Sequence, residues 1–420
     1  MMIPIAMFAR AEDVCDGKAN RDFSMVAVMF LCEPEYQSDA VDLLNVITRH
    51  KLPFDVFSRL LEAIPGLSSP LLQPIPPSST GGMSLPEDTA ECMIFQRSYA
   101  TMVFSIMSEN ISQATDKYYL QSTPRAQEIL GNYVMLMAKL IGQPSRRLAG
   151  DVAKEWTKIF REDSIANIPW MSDVCAVLLQ VYTSKLERIL WIKEHVSSID
   201  GDTLTMYPAD EVSAAEFDDY DEWMDYMGAL KAQVKSLCAV LAVKFPIVCL
   251  SFLQQKVTSL LSLPISVAKG DSNDAEDVIQ WQAFATVLEF LCSNLMPAEL
   301  TAGDEVSKQV LGQLHMMIEL LLSWKPPAHS ALLLQRLQCL NNCSAVLRSA
   351  PVDLLQRVFA DLFRHDSVTL TAASSSAVSP TQLSEKAATI IAHLCQVCGE
   401  AVVGDVSLLN AIVAQVMRLT

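Results

Sequence analysis

Apolar residues recur at intervals of three and four along almost the whole chain, and no stretch sustains strict two-residue alternation. That period puts side chains on one stripe of a helix, so the sequence predicts helices throughout and no sheet. The stretch 216–261 shows it best. After an acidic, aromatic lead-in (EFDDYDEW), Leu230, Val234, Leu237, Cys238 and Leu241 form one stripe, and Leu250, Leu253, Val257 and Leu260 form a second beyond Lys244-Phe245-Pro246. Pro246 suits the first turn of the second helix, where an amide hydrogen would have no intrahelical partner anyway. Neither helix of such a hairpin can cover its own apolar face, so pairs must stack on pairs. The fold expected is all-α, a HEAT/armadillo-like α-solenoid of antiparallel helix pairs.

Residues 1–65 read as partial amino-terminal repeats, with two helices meeting at Lys51-Leu52-Pro53 and a stripe of Phe54, Phe57, Leu60, Leu61 and Ile64. Residues 66–88 are rich in Pro, Ser and Gly and read as a loop. Residues 89–420 read as a helical array with loops near 199–221, 268–277 and 367–383. The clearest pair is 125–141 with 146–162, where Gly142 suits a helix end and Ser145 can cap the next helix. A further helix is expected over 172–195. The apolar pattern runs almost to Thr420 without a polar capping repeat, so the expectation is one solenoid that is part of a longer one.

Composition narrows the function. With 51% hydrophobic and 19% charged residues, the 420-residue chain lies far from the disordered range. Its net charge of −17 disfavours sequence-independent attraction to nucleic acid, so any such contact needs a local basic face. Eleven cysteines scattered through apolar stripes suggest reduced thiols in a cytosolic or nuclear compartment, and Cys395 and Cys398 read as packing residues rather than a redox pair. The apolar run 23–32 is too short to cross a bilayer, no signal peptide is indicated, and membrane insertion is not expected.

Phosphate-loop, HExxH, GxSxG and kinase signatures are all missing from the sequence, so no catalytic residue, metal ligand or cofactor is expected. His315 reads as a partly buried structural histidine. The acidic cluster Asp218, Asp219, Asp221, Glu222 and Asp225 lacks calcium-loop spacing and reads as a solvated helix start. The informative charged feature is a row of cations: Arg147, Lys154, Lys158 and Arg161 fall on one face of a helix whose other side carries Leu148, Val152, Trp156 and Ile159. Lys231 and Lys235 form a smaller basic pair. Such faces also serve simply as solvated surface opposite an apolar stripe, and that reading stays open.

Particular residues carry a resemblance. Asp219-Tyr220-Asp221-Glu222-Trp223 with the helix pair after it, Gln280-Trp281-Gln282-Ala283 with Leu288-Glu289-Phe290-Leu291, and Gly142-Gln143-Pro144-Ser145 with Leu148, Asp151 and Trp156 resemble the middle portion of exportin-5-type nuclear export receptors. These are importin-β-like karyopherins built of HEAT repeats. The resemblance implies binding of GTP-bound Ran GTPase, with structured small RNA such as pre-miRNA, or protein, or both, as cargo. It also implies contact with nucleoporins, and shuttling between nucleus and cytoplasm without catalysis. In HEAT hairpins the second helix generally lines the concave surface, which would turn the cations of 146–162 toward RNA phosphates or an acidic protein patch. The alternative is a HEAT scaffold that binds other proteins without Ran or RNA.

Overall fold

The computed structural model describes residues 26–28, 30–31, 34–49, 51–71, 87–114, 123–198, 201–208, 211–263, 275–295, 305–324, 330–367 and 380–419. Contacts divide the chain into two units, one comprising Met1–Val181 with Trp191–Gln233 and the other Tyr182–Leu190 with Val234–Thr420.

In the first unit the helices α1 (Gln37–Ile47), α2 (Phe54–Leu71), α3 (Glu87–Glu109), α4 (Pro124–Ile141) and α5 (Arg146–Arg161) alternate between two layers. α3 packs between α1 and α5 in one layer, while α2 packs on α4 in the other. The interior is apolar: Phe57, Leu60, Leu61, Phe104, Met137, Leu140, Val152, Trp156 and Phe160 are all buried. Trp156 meets Phe104 edge-on at 5.4 Å between ring centroids. Polar stitches close the ends of α2 and α3. Asn110 Oδ1 accepts from the Leu52 amide at 2.9 Å and Gln113 Nε2 donates to the Leu52 carbonyl at 2.7 Å, satisfying backbone groups that open the hairpin.

The expected helix over 172–195 is shorter than its apolar content suggests. α6 (Met171–Lys185) stops early, and β1 (Trp191–Ser198) pairs antiparallel with β2 (Gly201–Pro208), Trp191 opposite Pro208 and Ser198 opposite Gly201. The expectation of no sheet is therefore corrected by one β-hairpin set into a helical stack. Its signal was present in Ile192, Val196, Thr203, Thr205 and Tyr207 on either side of Asp200-Gly201, a β-branched and aromatic pattern around a hairpin-turn dipeptide. The short α7 (Glu211–Glu216) then occupies part of what reads as a loop over 199–221.

The long α8 (Tyr220–Lys244) contains the last boundary between the units, at Gln233–Val234. It is long and apolar enough to cross a membrane by composition, yet it carries Glu222, Asp225, Lys231 and Lys235, and its stripe of Leu230, Val234, Leu237 and Leu241 is buried within the protein. In the second unit α9 (Pro246–Ser262), α10 (Glu276–Leu295), α11 (Glu305–Ser323), α12 (Ser330–Asn342), α13 (Val352–Ser367), α14 (Pro380–Val397), α15 (Gly399–Gly404) and α16 (Val406–Leu419) continue the alternation. α10, α12 and α14 pack in one row; α9, α11, α13 and α16 pack in the other. This is the α-solenoid arrangement, and Pro246 occupies the first turn of α9 as expected. Trp281 is buried and stacks on Trp324, with 4.6 Å between centroids and planes 10° apart. A buried Arg336 ties three helices: its Nε donates to the Leu321 carbonyl at the end of α11 at 2.8 Å, and its Nη2 lies 2.7 Å from Asp361 of α13.

Boundaries shift where composition misled. α2 continues through Pro65 and Gly66 to Leu71, so the loop does not begin at residue 66; residues 72–86 lie outside the described set. Residues 264–274, covering most of the expected loop at 268–277, and 368–379, within that at 367–383, are also outside it, and α14 begins already at Pro380.

Candidate functional site

The start of α5 is fastened from a distant part of the chain. Ser145 caps it conventionally, its Oγ accepting from the Leu148 amide at 3.1 Å. The Glu216 carboxylate completes the cap, accepting from the Arg146 amide at 2.9 Å, from the Arg147 amide at 3.4 Å and from the Ser145 hydroxyl. A buried carboxylate is at home here because the first amides of a helix lack intrahelical acceptors and carry partial positive charge. Tyr226 donates to the Arg146 carbonyl, and its ring covers Gly150, where a Cβ would sit 2.6 Å from the tyrosine oxygen. Burial, then the Glu216 charge, pushes the Tyr226 phenol well above its ordinary value.

The acidic residues beside it form a cap of their own. Asp219 Oδ1 accepts from the Glu222 amide and Glu222 Oε2 accepts from the Asp218 amide, each at 2.8 Å, a reciprocal box that opens α8. Glu222 is also ion-paired with Arg147, whose guanidinium lies 5.0 Å from the centroid of the Phe217 ring. The Asp218 amide first, and Arg147 after it, hold the Glu222 carboxyl below its ordinary value. With Phe217 and Trp223 buried beneath, EFDDYDEW is a strap that locks α5 in place.

Arg147, Lys154, Lys158 and Arg161 lie opposite the buried Leu148, Val152, Trp156 and Ile159, so one face of α5 is cationic. Their situations differ. Arg147 belongs to the strap. Lys158 Nζ lies 3.0 Å from Glu155 and 3.6 Å from Glu109, and these carboxylates, Glu155 foremost, raise its pKa. Lys154 and Arg161 are exposed and have no acidic partner among the described residues. They are seven residues apart, roughly 10 Å along the helix. Lys231 is exposed on α8, and one turn later Lys235 places its Nζ 5.9 Å from the centroid of the Phe290 ring.

Among the described residues no group of three or more His, Cys, Asp or Glu could hold a metal ion. Burial raises the thiol pKa of Cys395, and of Cys398 to about 11, away from the lowered range of activated thiolates. His315 is half-buried, and burial lowers its pKa, favouring the neutral ring.

The sequence model of the Exportin-5 family matches residues 101–419. The chain belongs to the exportin-5 family. No individual curated protein matches it. The family match takes in the end of α3, all of α5, the strap and the second unit as far as residue 419, so every segment that carried the resemblance lies inside it. Exportin-5 family proteins are transport receptors of the karyopherin type, which work by binding.

Two features of this family member escape a reading by spacing. Glu216 and Tyr226 act on α5 from 70 and 80 residues away, and nothing local to either announces it. A groove of about 540 Å³ opens on the α1, α3 and α5 layer, lined by Asp42, Arg49, Ile94, Thr101 and Asp151 among others. It joins residues that no single helical pattern would group.

Proposed function

We propose that this chain serves a nuclear export receptor that binds RanGTP and carries structured small RNA, protein, or both from nucleus to cytoplasm. The observation that carries the proposal is the family match across most of the helical array. The stacked two-layer helices support it, since such arrays present extended surfaces and bind without catalysing a reaction. GTP-bound Ran would favour the conformation with higher cargo affinity, which requires that it bind that conformation more tightly than the alternative. Nucleoporins are the further partners this reading implies.

Lys154 and Arg161 are the proposed phosphate contacts, with Lys158 on the same face of α5; Lys231 and Lys235 on α8 are separate, weaker candidates, and Arg147 is held by the strap. The test is the salt dependence of binding of a short duplex RNA to the full chain with RanGTP, before and after Lys154→Gln and Arg161→Gln together. Each lost phosphate contact should lower the logarithmic slope by roughly 0.9, taking the DNA duplex value as a guide. An unchanged slope would remove these residues from the interface.

Protein cargo alone is the second reading. It is favoured by the in-chain carboxylates on Arg147 and Lys158 and by the net charge of −17. It stands if RanGTP binds and RNA does not. If neither binds, the chain is a HEAT scaffold.

A further inference from the structure

Four cations share the solvent-facing side of α5, but the one closest to the helix start is neutralised from within the chain. Arg147 is paired with Glu222, and its side chain retains 28% exposure while that of Glu222 retains 38%. The guanidinium rests over Phe217, which is itself buried, so its position does not depend on the ion pair alone. Its Nε is buried and makes no hydrogen bond among the described residues, so the pairing with Glu222 runs through Nη2. Beneath it, Glu216 already fills the amides of Arg146 and Arg147, so the positive end of the helix is also taken. Two carboxylates of the strap therefore cancel the amino-terminal half of the cationic face and leave Lys154 and Arg161 open in the other half.

We infer that Glu222 is a specificity-determining residue: it masks Arg147 and confines the binding of phosphate-bearing cargo to the carboxy-terminal half of α5. The inference rests on the reading of this face as a cargo surface. Its physical basis is simple. A cation held in place by an aromatic ring stays oriented when its carboxylate partner is removed, and its charge is then available to an approaching phosphate. Glu222 is well placed for such a role because the reciprocal cap with Asp218 and Asp219 fixes it independently of Arg147.

Glu222→Gln is the informative change, since the amide keeps an oxygen to accept from Asp218 while losing the charge. Binding of a short duplex RNA by the full chain with RanGTP should tighten about two- to five-fold at low salt, the range expected for releasing one exposed ion pair. The logarithmic salt slope should steepen by roughly 0.9, one phosphate contact. Adding Arg147→Gln in the same chain should cancel the gain. Equal slopes in wild type and Glu222→Gln would overturn the inference, as would a gain that survives loss of Arg147.

A second measurement needs neither RNA nor a variant. Phenylglyoxal, which condenses with free guanidinium groups, should modify Arg161 of the wild-type chain several-fold faster than Arg147, read by peptide mass spectrometry. Equal rates would overturn the masking whatever the RNA assay shows. If instead the wild-type chain binds no RNA with RanGTP and Arg147 is nonetheless protected, the masking stands and the RNA reading of the face fails.

Discussion

Glu216 follows Arg146 by 70 residues, yet its carboxylate finishes the helix that Arg146 begins. The pairing explains why a buried acid is tolerated: three donors of α5 surround it, and each would otherwise be short of an acceptor. Gly150 reports on the same junction. An alanine in the middle of a helix normally gains up to about 1 kcal/mol over glycine. Here its Cβ would meet the Tyr226 oxygen at 2.6 Å, so Gly150→Ala should instead destabilise by about 1–3 kcal/mol. Thermal unfolding decides the sign, and part of the loss should be recovered on adding Tyr226→Phe. Glu222 gives a pH signature. Its folded pKa lies below the ordinary 4.5, so the stability it adds is fully present above 4.5 and is lost as pH falls through the folded value. Glu222→Gln should narrow the difference between neutral and acid stability, with wild type and variant converging at low pH. Parallel curves would show that the strap does not hold this carboxylate. None of this was legible locally: Glu216 reads as one acid in an acidic run, and the donors it serves lie on another helix.

At the scale of elements, legibility follows chemistry. Gly142 and Ser145 marked the turn between α4 and α5, and Pro246 the start of α9, because capping and proline constraints act within a few residues. Trp156, Leu237 and Leu253 were expected inside from their place on apolar stripes, and they, with Trp281 and Leu288, are at most 1% exposed. Trp281→Ala should cost about 3–5 kcal/mol because it also leaves Trp324 without its stacking partner, and the urea midpoint should fall accordingly. An unchanged midpoint would mean that this ring packs loosely. The hairpin of β1 and β2 was missed because each strand spans only eight residues, too short for its β-branched pattern to outweigh the apolar helical period on either side. The extension of α2 was missed for the opposite reason. Pro65 and Gly66 weaken a helix without ending it when neighbours such as Leu61 and Ile64 are fully buried.

For the whole molecule, two facts pull on the function. The family match reaches from residue 101 to 419 and makes this an export receptor of the karyopherin type. The net charge of −17 opposes a polyanionic cargo at long range, while at physiological salt charges farther than about 8 Å are largely screened, so under the proposed reading a local basic face such as that of α5 would have to govern contact. Linkage between two ligands is the property that separates an export receptor from a passive scaffold, because coupling must be reciprocal: what RanGTP does to cargo affinity, cargo must do to RanGTP affinity. The decisive measurement is therefore the affinity of the full chain for a short duplex RNA by fluorescence anisotropy, with saturating Ran carrying GTP or GDP, and the converse titration of Ran with RNA present. The account predicts tightening by roughly 5- to 150-fold with GTP-bound Ran, the same factor in the converse titration, and no effect of the GDP form. Equal RNA affinity with both forms, or no binding of GTP-bound Ran at all, would contradict it.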